Sequence, residues 1–150
     1  MAGISISAER DVAAPAEAVY GILADYREHH PRILPPAFTG FTVESGGSGE
    51  GTVIRFEVKS GGRAQSFHQR VSEPEPGRVL RESALDGDLA TTFTVTPTGD
   101  DRSHVRIETT WSTGGMRGWI ERLVAPRLLR PIYVDELERL DQYARTRVIT

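Results

Sequence analysis

ISISAERDVAAPAEAVYGILADY, residues 4–26, sets two periodicities back to back. Over residues 4–12, Ile4, Ile6, Ala8 and Val12 share one side of a two-residue alternation, the pattern of a half-buried strand. Pro15 then opens a helix, where its missing N–H costs nothing. Val19, Ile22, Leu23 and Tyr26 follow at i, i+3, i+4 and i+7, one helical face. That helix runs into DYREHHPRIL, residues 25–34, and stops before Pro35-Pro36.

Working outward, residues 38–111 are short alternating runs divided by turn chemistry: TVIRFEVK, AQSFHQRV, RVLRES, TTFTVT and HVRIETTW. The dividers are SGGSGEG (45–51), SGG (60–62), EPEPG (73–77), LDGD (85–88) and PTGDDRS (97–103). Asp86-Gly87 suits a tight hairpin, because glycine takes positive φ without penalty. Short turns between successive strands predict an antiparallel meander of about six strands, with residues 4–12 added at an edge. The last third is helical, with Ser112 or Thr113 as N-cap. Trp119, Leu123, Leu129, Tyr133, Leu137, Leu140 and Ala144 form one stripe of it, and Asp135–Arg139 and Asp141–Arg145 are i,i+4 pairs on the outside. Pro126 and Pro131 interrupt its hydrogen bonding and predict two bends, so the helix wraps around something.

The bulk properties bound the reading. With 150 residues the chain is expected to form a single domain over 1–150, burying roughly two-thirds of its unfolded surface. Mean hydropathy is −0.34, and no apolar run is long enough to span a bilayer. The N-terminus lacks the basic region and apolar run of a signal peptide. No cysteine is present, which excludes disulfides, thiolate metal sites and a cysteine nucleophile. The cytoplasm is the expected location. A net charge of −3 gives no electrostatic footprint for nucleic acid.

The order strand, helix with AAPAEAVYGILAD, HHPRILP connector, meander and long terminal helix resembles the helix-grip superfamily. That superfamily includes START lipid-binding domains, the birch-pollen allergen type and the bacterial polyketide cyclase/dehydrase and lipid-transport proteins. RGWIERLVAPRLLRPIYVDELERLDQYARTR is similar to the long helix that the sheet grips. The resemblance covers essentially the whole chain. It implies an α+β, helix-grip fold: a seven-stranded curved antiparallel sheet around a long kinked C-terminal helix, with short helices between the first two strands. It also implies a cavity between sheet and helix, and it does not select among carriers, cyclases, hydrolases and receptors.

Strand parity names what would line that cavity. Ile54, Phe56 and Val58 share a face, as do Phe67 and Val71, Phe93 and Val95, and Val105, Ile107 and Trp111. Gln69 and Thr109 sit on the same apolar faces, as polar groups do in hydrophobic-ligand sites; a filled core is the alternative. The expected lining set is Tyr26, His29, Phe56, Phe67, Gln69, Arg81, Phe93, Ile107, Thr109, Trp111, Leu129 and Tyr133. The parity of Arg81 is open, because RVLRES does not alternate cleanly.

Adjacent His29 and His30 point about 100° apart on a helix, so they cannot readily share one ion; no metal and no cofactor is expected. Either histidine suits a general base at the pocket mouth. Otherwise both cap and solvate the end of the first helix. His68 and His104 fall on solvent-side parity. No G-x-S-x-G elbow supports a serine nucleophile, and GGSGEG lacks the Lys-Ser/Thr ending and following helix of a phosphate loop, so it reads as a flexible hairpin loop.

On the long helix, Ile120, Val124, Leu128 and Ile132 form a second apolar row edged by Arg117, Arg122, Arg127 and Arg130. Such a row suits a membrane surface, a partner subunit in a homodimer or an anionic ligand head; alternatively the bends turn it inward under arginine stems. Three functions follow. The first is binding or transport of a lipid-like or polyketide-like hydrophobic molecule, oriented by Gln69, Arg81, Thr109 or Tyr133. The second is a polyketide cyclase, aromatase or dehydratase. The third is a protein-interaction module working through the C-terminal helix.

Overall fold

The computed structural model describes the backbone of residues 2–60, 62–113 and 115–149, and the side chains of 3–59, 62, 64–112 and 126–146. Strand β1 (Ala2–Val12) leads into helix α1 (Ala16–Ala24) and a short 3-10 helix (His30–Ile33). The meander follows as β2 (Phe38–Ser45), β3 (Val53–Ser60), β4 (Arg63–Glu75), β5 (Val79–Ala84), β6 (Ala90–Gly99) and β7 (Arg102–Thr113). Helix α2 (Gly115–Ile149) ends the chain.

The seven strands make one antiparallel sheet in the order β1-β7-β6-β5-β4-β3-β2, so β1 sits at an edge as the alternation predicts. This is the helix-grip arrangement. Ile4, Ile6 and Val12 face the core, and Ile6 lies opposite Thr109. The concave face continues through Ile54, Phe56, Val71, Leu80, Phe93, Val95, Val105 and Ile107, all buried. Across it lies α2, whose Tyr133, Leu137, Leu140 and Ala144 are buried on the predicted stripe. Trp119 and Leu123, from the same stripe, fall outside the described side chains. Burying Val19, Tyr20, Ile22 and Leu23 seats α1 on this core, at about 1.5–3 kcal/mol per large apolar side chain.

Four local expectations are corrected. The β5–β6 connection is a five-residue loop closed by Ala84 N–H donating to Leu89 O at 2.8 Å, and Gly87 does not take positive φ, so Asp86-Gly87 is no two-residue hairpin. Ser112 and Thr113 belong to β7 rather than capping α2; the Ser112 N–H donates to Asp88 at 3.0 Å. Asp141 is buried, not outside: it accepts from Ala13 N–H at 3.1 Å and pairs with Arg10 at 3.2 Å and Arg145 at 3.5 Å. One carboxylate thereby satisfies the chain between β1 and α1 and ties it to α2.

The fourth concerns SGGSGEG, read as a flexible hairpin loop. Gly49 N–H donates to Ala24 O at 2.9 Å, satisfying a carbonyl that the end of α1 leaves unpaired. Tyr26 N–H donates to Gly47 O at 2.8 Å, and Arg27 donates twice to Gly46 O, at 2.6 and 3.0 Å. Gly47 takes φ 143°, with the Arg27 stem where a Cβ would stand. The loop is a bracket that fixes where the chain leaves α1.

Candidate functional site

Helix α1 stops at Asp25 because that side chain turns back on the backbone: its Oδ1 accepts from the N–H groups of Arg27 (3.1 Å) and Glu28 (3.0 Å). The turn swings His30 inward instead of leaving it on the rim. His30 is only 2% exposed, where capping and solvation of the helix end was expected. Its Nδ1 lies 2.7 Å from Leu23 O, so Nδ1 carries the proton and Nε2 the lone pair. The ring stacks on Tyr26 at 4.5 Å and meets Phe93 edge-on at 5.7 Å. Burial lowers its pKa to about 4, so the ring is neutral near pH 7.

Nε2 of His30 faces Glu82 Oε2 at 3.8 Å, and the same oxygen accepts from Tyr26 O–H at 2.7 Å. Glu82 comes from RVLRES, where Leu80 and Glu82 face inward while Arg81 points outward toward Thr92, 3.3 Å away. Burial raises the Glu82 pKa to about 7, against the lowering effect of the Tyr26 hydroxyl. Glu136 on α2, 2% exposed, is also raised well above the usual carboxylate range, first by burial and then by the charge of Glu82. Tyr133 O–H approaches Thr109 Oγ1 at 2.5 Å, and Thr109 approaches Thr91 at 2.7 Å. Burial pushes the Tyr133 phenol up to about 12.

These groups stand in a cavity of about 660 Å³ between the concave sheet and α2. Its walls are Ile54, Phe56, Val58, Phe67, Phe93, Ile107 and Trp111 from the sheet, and Leu128, Leu129, Ile132 and Tyr133 from the helix. Leu34, Phe38 and Phe41 line it beside His30, and the β5–β6 loop contributes Asp86, Asp88 and Leu89. The filled-core alternative therefore does not hold.

Of the twelve residues expected to line it, Phe56, Phe67, Gln69, Phe93, Ile107, Thr109, Trp111, Leu129 and Tyr133 do. Three do not. Tyr26 is fully buried behind Glu82, reaching the cavity only through that carboxylate. His29 turns away to Tyr143, with Nδ1 2.7 Å from the hydroxyl. Arg81 is on the opposite face of the sheet. The second apolar row of α2 is partly inside: Leu128 and Ile132 line the cavity, while Ile120 and Val124 lie outside the described side chains.

His104 pairs with Glu9 and Asp11 on the outer face, each at 2.7 Å, whereas His68, expected on the solvent side, is 2.7 Å from Glu44 and contributes to the lining of the cavity. His29, Asp25 and Glu28 bring one ligand-type atom each within 4.8 Å of one another. The His29 Nε2 distances, 3.8 Å to Asp25 and 3.9 Å to Glu28, are those of loose ion pairs at the end of α1.

The family profile described as polyketide cyclase/dehydrase and lipid transport matches residues 3–145. The chain belongs to this family. A search of curated proteins finds no significant match. Among solved structures, the solution structure of the KanY protein is 29% identical, covers 97% of this chain and 99% of its own, and has a TM-score of 0.84. The Zhui aromatase/cyclase from Streptomyces sp. R1128 is 19% identical, with coverage of 98% and 96% and a TM-score of 0.80. Norcoclaurine synthase from Thalictrum flavum, solved with dopamine and hydroxybenzaldehyde, is 18% identical, with coverage of 97% and 88% and a TM-score of 0.74. The last two likenesses establish the shared fold. No helix among the described residues is long and apolar enough to cross a membrane.

In this member of the polyketide cyclase/dehydrase and lipid transport family, sequence reasoning missed Glu82 and Glu136, and it named His30 at the mouth but left it out of the lining set. A glutamate at an inward position looks like a break in strand alternation, which is why RVLRES gave no clean parity. Glu136 carried a usable signal: it stands three residues after Tyr133 and four before Leu140, on the buried stripe.

Proposed function

We propose that residues 1–150 act as a single ligand-binding domain, located in the cytoplasm, that takes up a hydrophobic small molecule of lipid-like or polyketide-like size and shape. The observation that carries this reading is the 660 Å³ cavity, whose walls are apolar and aromatic and whose polar groups gather on Glu82, Glu136, Gln69 and the Thr109–Tyr133 pair. Apolar burial supplies affinity at about 25 cal/mol per Å², and the few polar groups select orientation. Native mass spectrometry of freshly purified protein, with thermal shift on adding apolar ligands, is the test. A co-purifying small molecule or a ligand-dependent rise in Tm is expected. No bound molecule, together with no shift for any apolar probe, overturns the reading.

A second reading, a cyclase or dehydratase, is favoured by one observation: Glu82 titrates near neutrality beside a neutral His30 and a buried phenol. A carboxylate poised there can take a proton from a carbon next to a ketone and return it to a leaving hydroxyl. Deuterium exchange into 4-phenylbutan-2-one tests this. Wild-type protein should accelerate exchange and Glu82→Gln should abolish the acceleration while ketone affinity holds. Equal exchange in both proteins removes the catalytic reading.

A further inference from the structure

Among the described residues, the carboxylates around the cavity face only two imidazoles, His30 and His68, and His68 is already paired with Glu44. Glu82 and Glu136 lie inside, Asp86 and Asp88 stand exposed on the loop at the mouth, and no lysine or arginine lines the cavity among the described residues. The nearest arginine in sequence to Glu82, Arg81, faces out to Thr92. Two carboxylates buried in one apolar chamber without a cation are costly, since each loses its hydration and feels the other. Burial holds both toward their protonated forms, and for Glu136 the charge of Glu82 adds to it.

The same chamber holds an acceptor that its own donors do not reach. Gln69 Oε1 is buried and has no hydrogen-bond partner among the described residues. Among the described residues no side-chain hydrogen bond to Glu136 enters its pKa shift, which comes first from burial. The Tyr26 and Tyr133 hydroxyls are engaged, with Glu82 and Thr109 respectively. The missing complement is therefore a cation with N–H donors. The walls suit it as well, because Phe56, Phe67, Phe93 and Trp111 offer π faces and edges to an ammonium and its hydrocarbon skeleton. A fatty acid or phosphate ester would add a further anion to this environment.

We infer that the cavity selects a hydrophobic organic amine, its ammonium held by the carboxylates of Glu82 and Glu136 and the carbonyl of Gln69, its apolar skeleton against the aromatic wall. This rests on the cavity being a small-molecule site, and it narrows the ligand class within that reading.

Three probes on one skeleton test it by calorimetry at pH 7.5: 4-phenylbutylamine, 4-phenylbutan-1-ol and 4-phenylbutanoate. The amine should bind at least tenfold tighter than the alcohol, and the acid more weakly than the alcohol. In Glu136→Gln the amine-to-alcohol ratio should fall below threefold while alcohol affinity changes less than threefold. Glu82→Gln is a second variant with the same expectation, in case the first fails to fold. Alcohol or acid binding as tightly as the amine overturns the inference, as does a ratio that persists in both variants. Nile red binding without binding of any probe overturns the amine assignment and leaves the cavity reading standing. If neither Nile red nor any probe binds, both fail.

Discussion

Glu82 and His30 pull the pH dependence of stability in opposite directions, and replacing Glu82 with glutamine separates them. Glu82 has a folded pKa of about 7 against an unfolded value of 4.5, so between those values the folded state holds more protons than the unfolded one. Stability contributed by this group is therefore full below pH 4.5 and is lost as pH rises through 7, a loss of about 3 kcal/mol at 1.36 kcal/mol per unit. His30 has a folded pKa of about 4 against 6.5, so in that window the unfolded state holds more protons. Its contribution is full above pH 6.5 and falls by about 3 kcal/mol as pH drops through 4. Between pH 4.5 and 6.5 the two slopes oppose and largely cancel. Glu82→Gln leaves Tyr26 an acceptor and removes the charge. The variant is expected to exceed wild type by about 2–3 kcal/mol at pH 8 and to lie within about 1 kcal/mol of it at pH 4.5. It should also lose stability steeply from pH 6.5 downward, exposing the His30 term. Urea unfolding followed by tryptophan fluorescence at pH 4.5, 5.5, 6.5 and 8 measures both curves. A stability difference that is the same at pH 4.5 and pH 8, or a variant less stable than wild type at pH 8, refutes the argument.

Three further outcomes are expected. Phe93→Ala removes a 1% exposed ring that meets His30 edge-on, and it should cost about 3 kcal/mol, the lower end for such truncations because the ring already borders open space; chemical denaturation checks this. Asp141→Ala breaks the ties to Ala13, Arg10 and Arg145 at once and should lower stability by about 1–3 kcal/mol, whereas Asp135→Ala, an exposed i,i+4 pair, should change it by less than about 0.5 kcal/mol. Gly47→Ala should cost about 1–2 kcal/mol, because its φ of 143° disfavours a side chain and a Cβ there displaces Arg27 from Gly46. Hydrogen exchange of the Tyr26 amide should accelerate in that variant, and unchanged protection at Tyr26 sinks the bracket role of the loop.

Much of this architecture can be read from residue order because periodicity is a local property. Ile4 and Ile6 alternate whatever they later touch, and only a strand buries both; Val19, Ile22 and Leu23 share a face only in a helix. Strand parity found seven cavity residues, since Phe56, Gln69 and Thr109 must lie inward once their neighbours do, and the helical stripe found two more, Leu129 and Tyr133. Arg81 was ambiguous for the converse reason: its inward neighbour is a glutamate, which hydrophobic patterning discounts.

Residue order thus dictates the strands, the helices and which face of each is apolar, because those follow from bonded geometry and side-chain chemistry along a few residues. The chemistry of the chamber follows from something else. His30 is buried because an aspartate two turns from the start of α1 bends the chain and a glycine loop from between β2 and β3 catches it. Glu82 and Glu136, from strand and helix 54 positions apart in the chain, share one cavity only when α2 closes over the sheet. Desolvation, which sets the protonation of all three, depends on what surrounds a group in space, and only the folded chain supplies those surroundings.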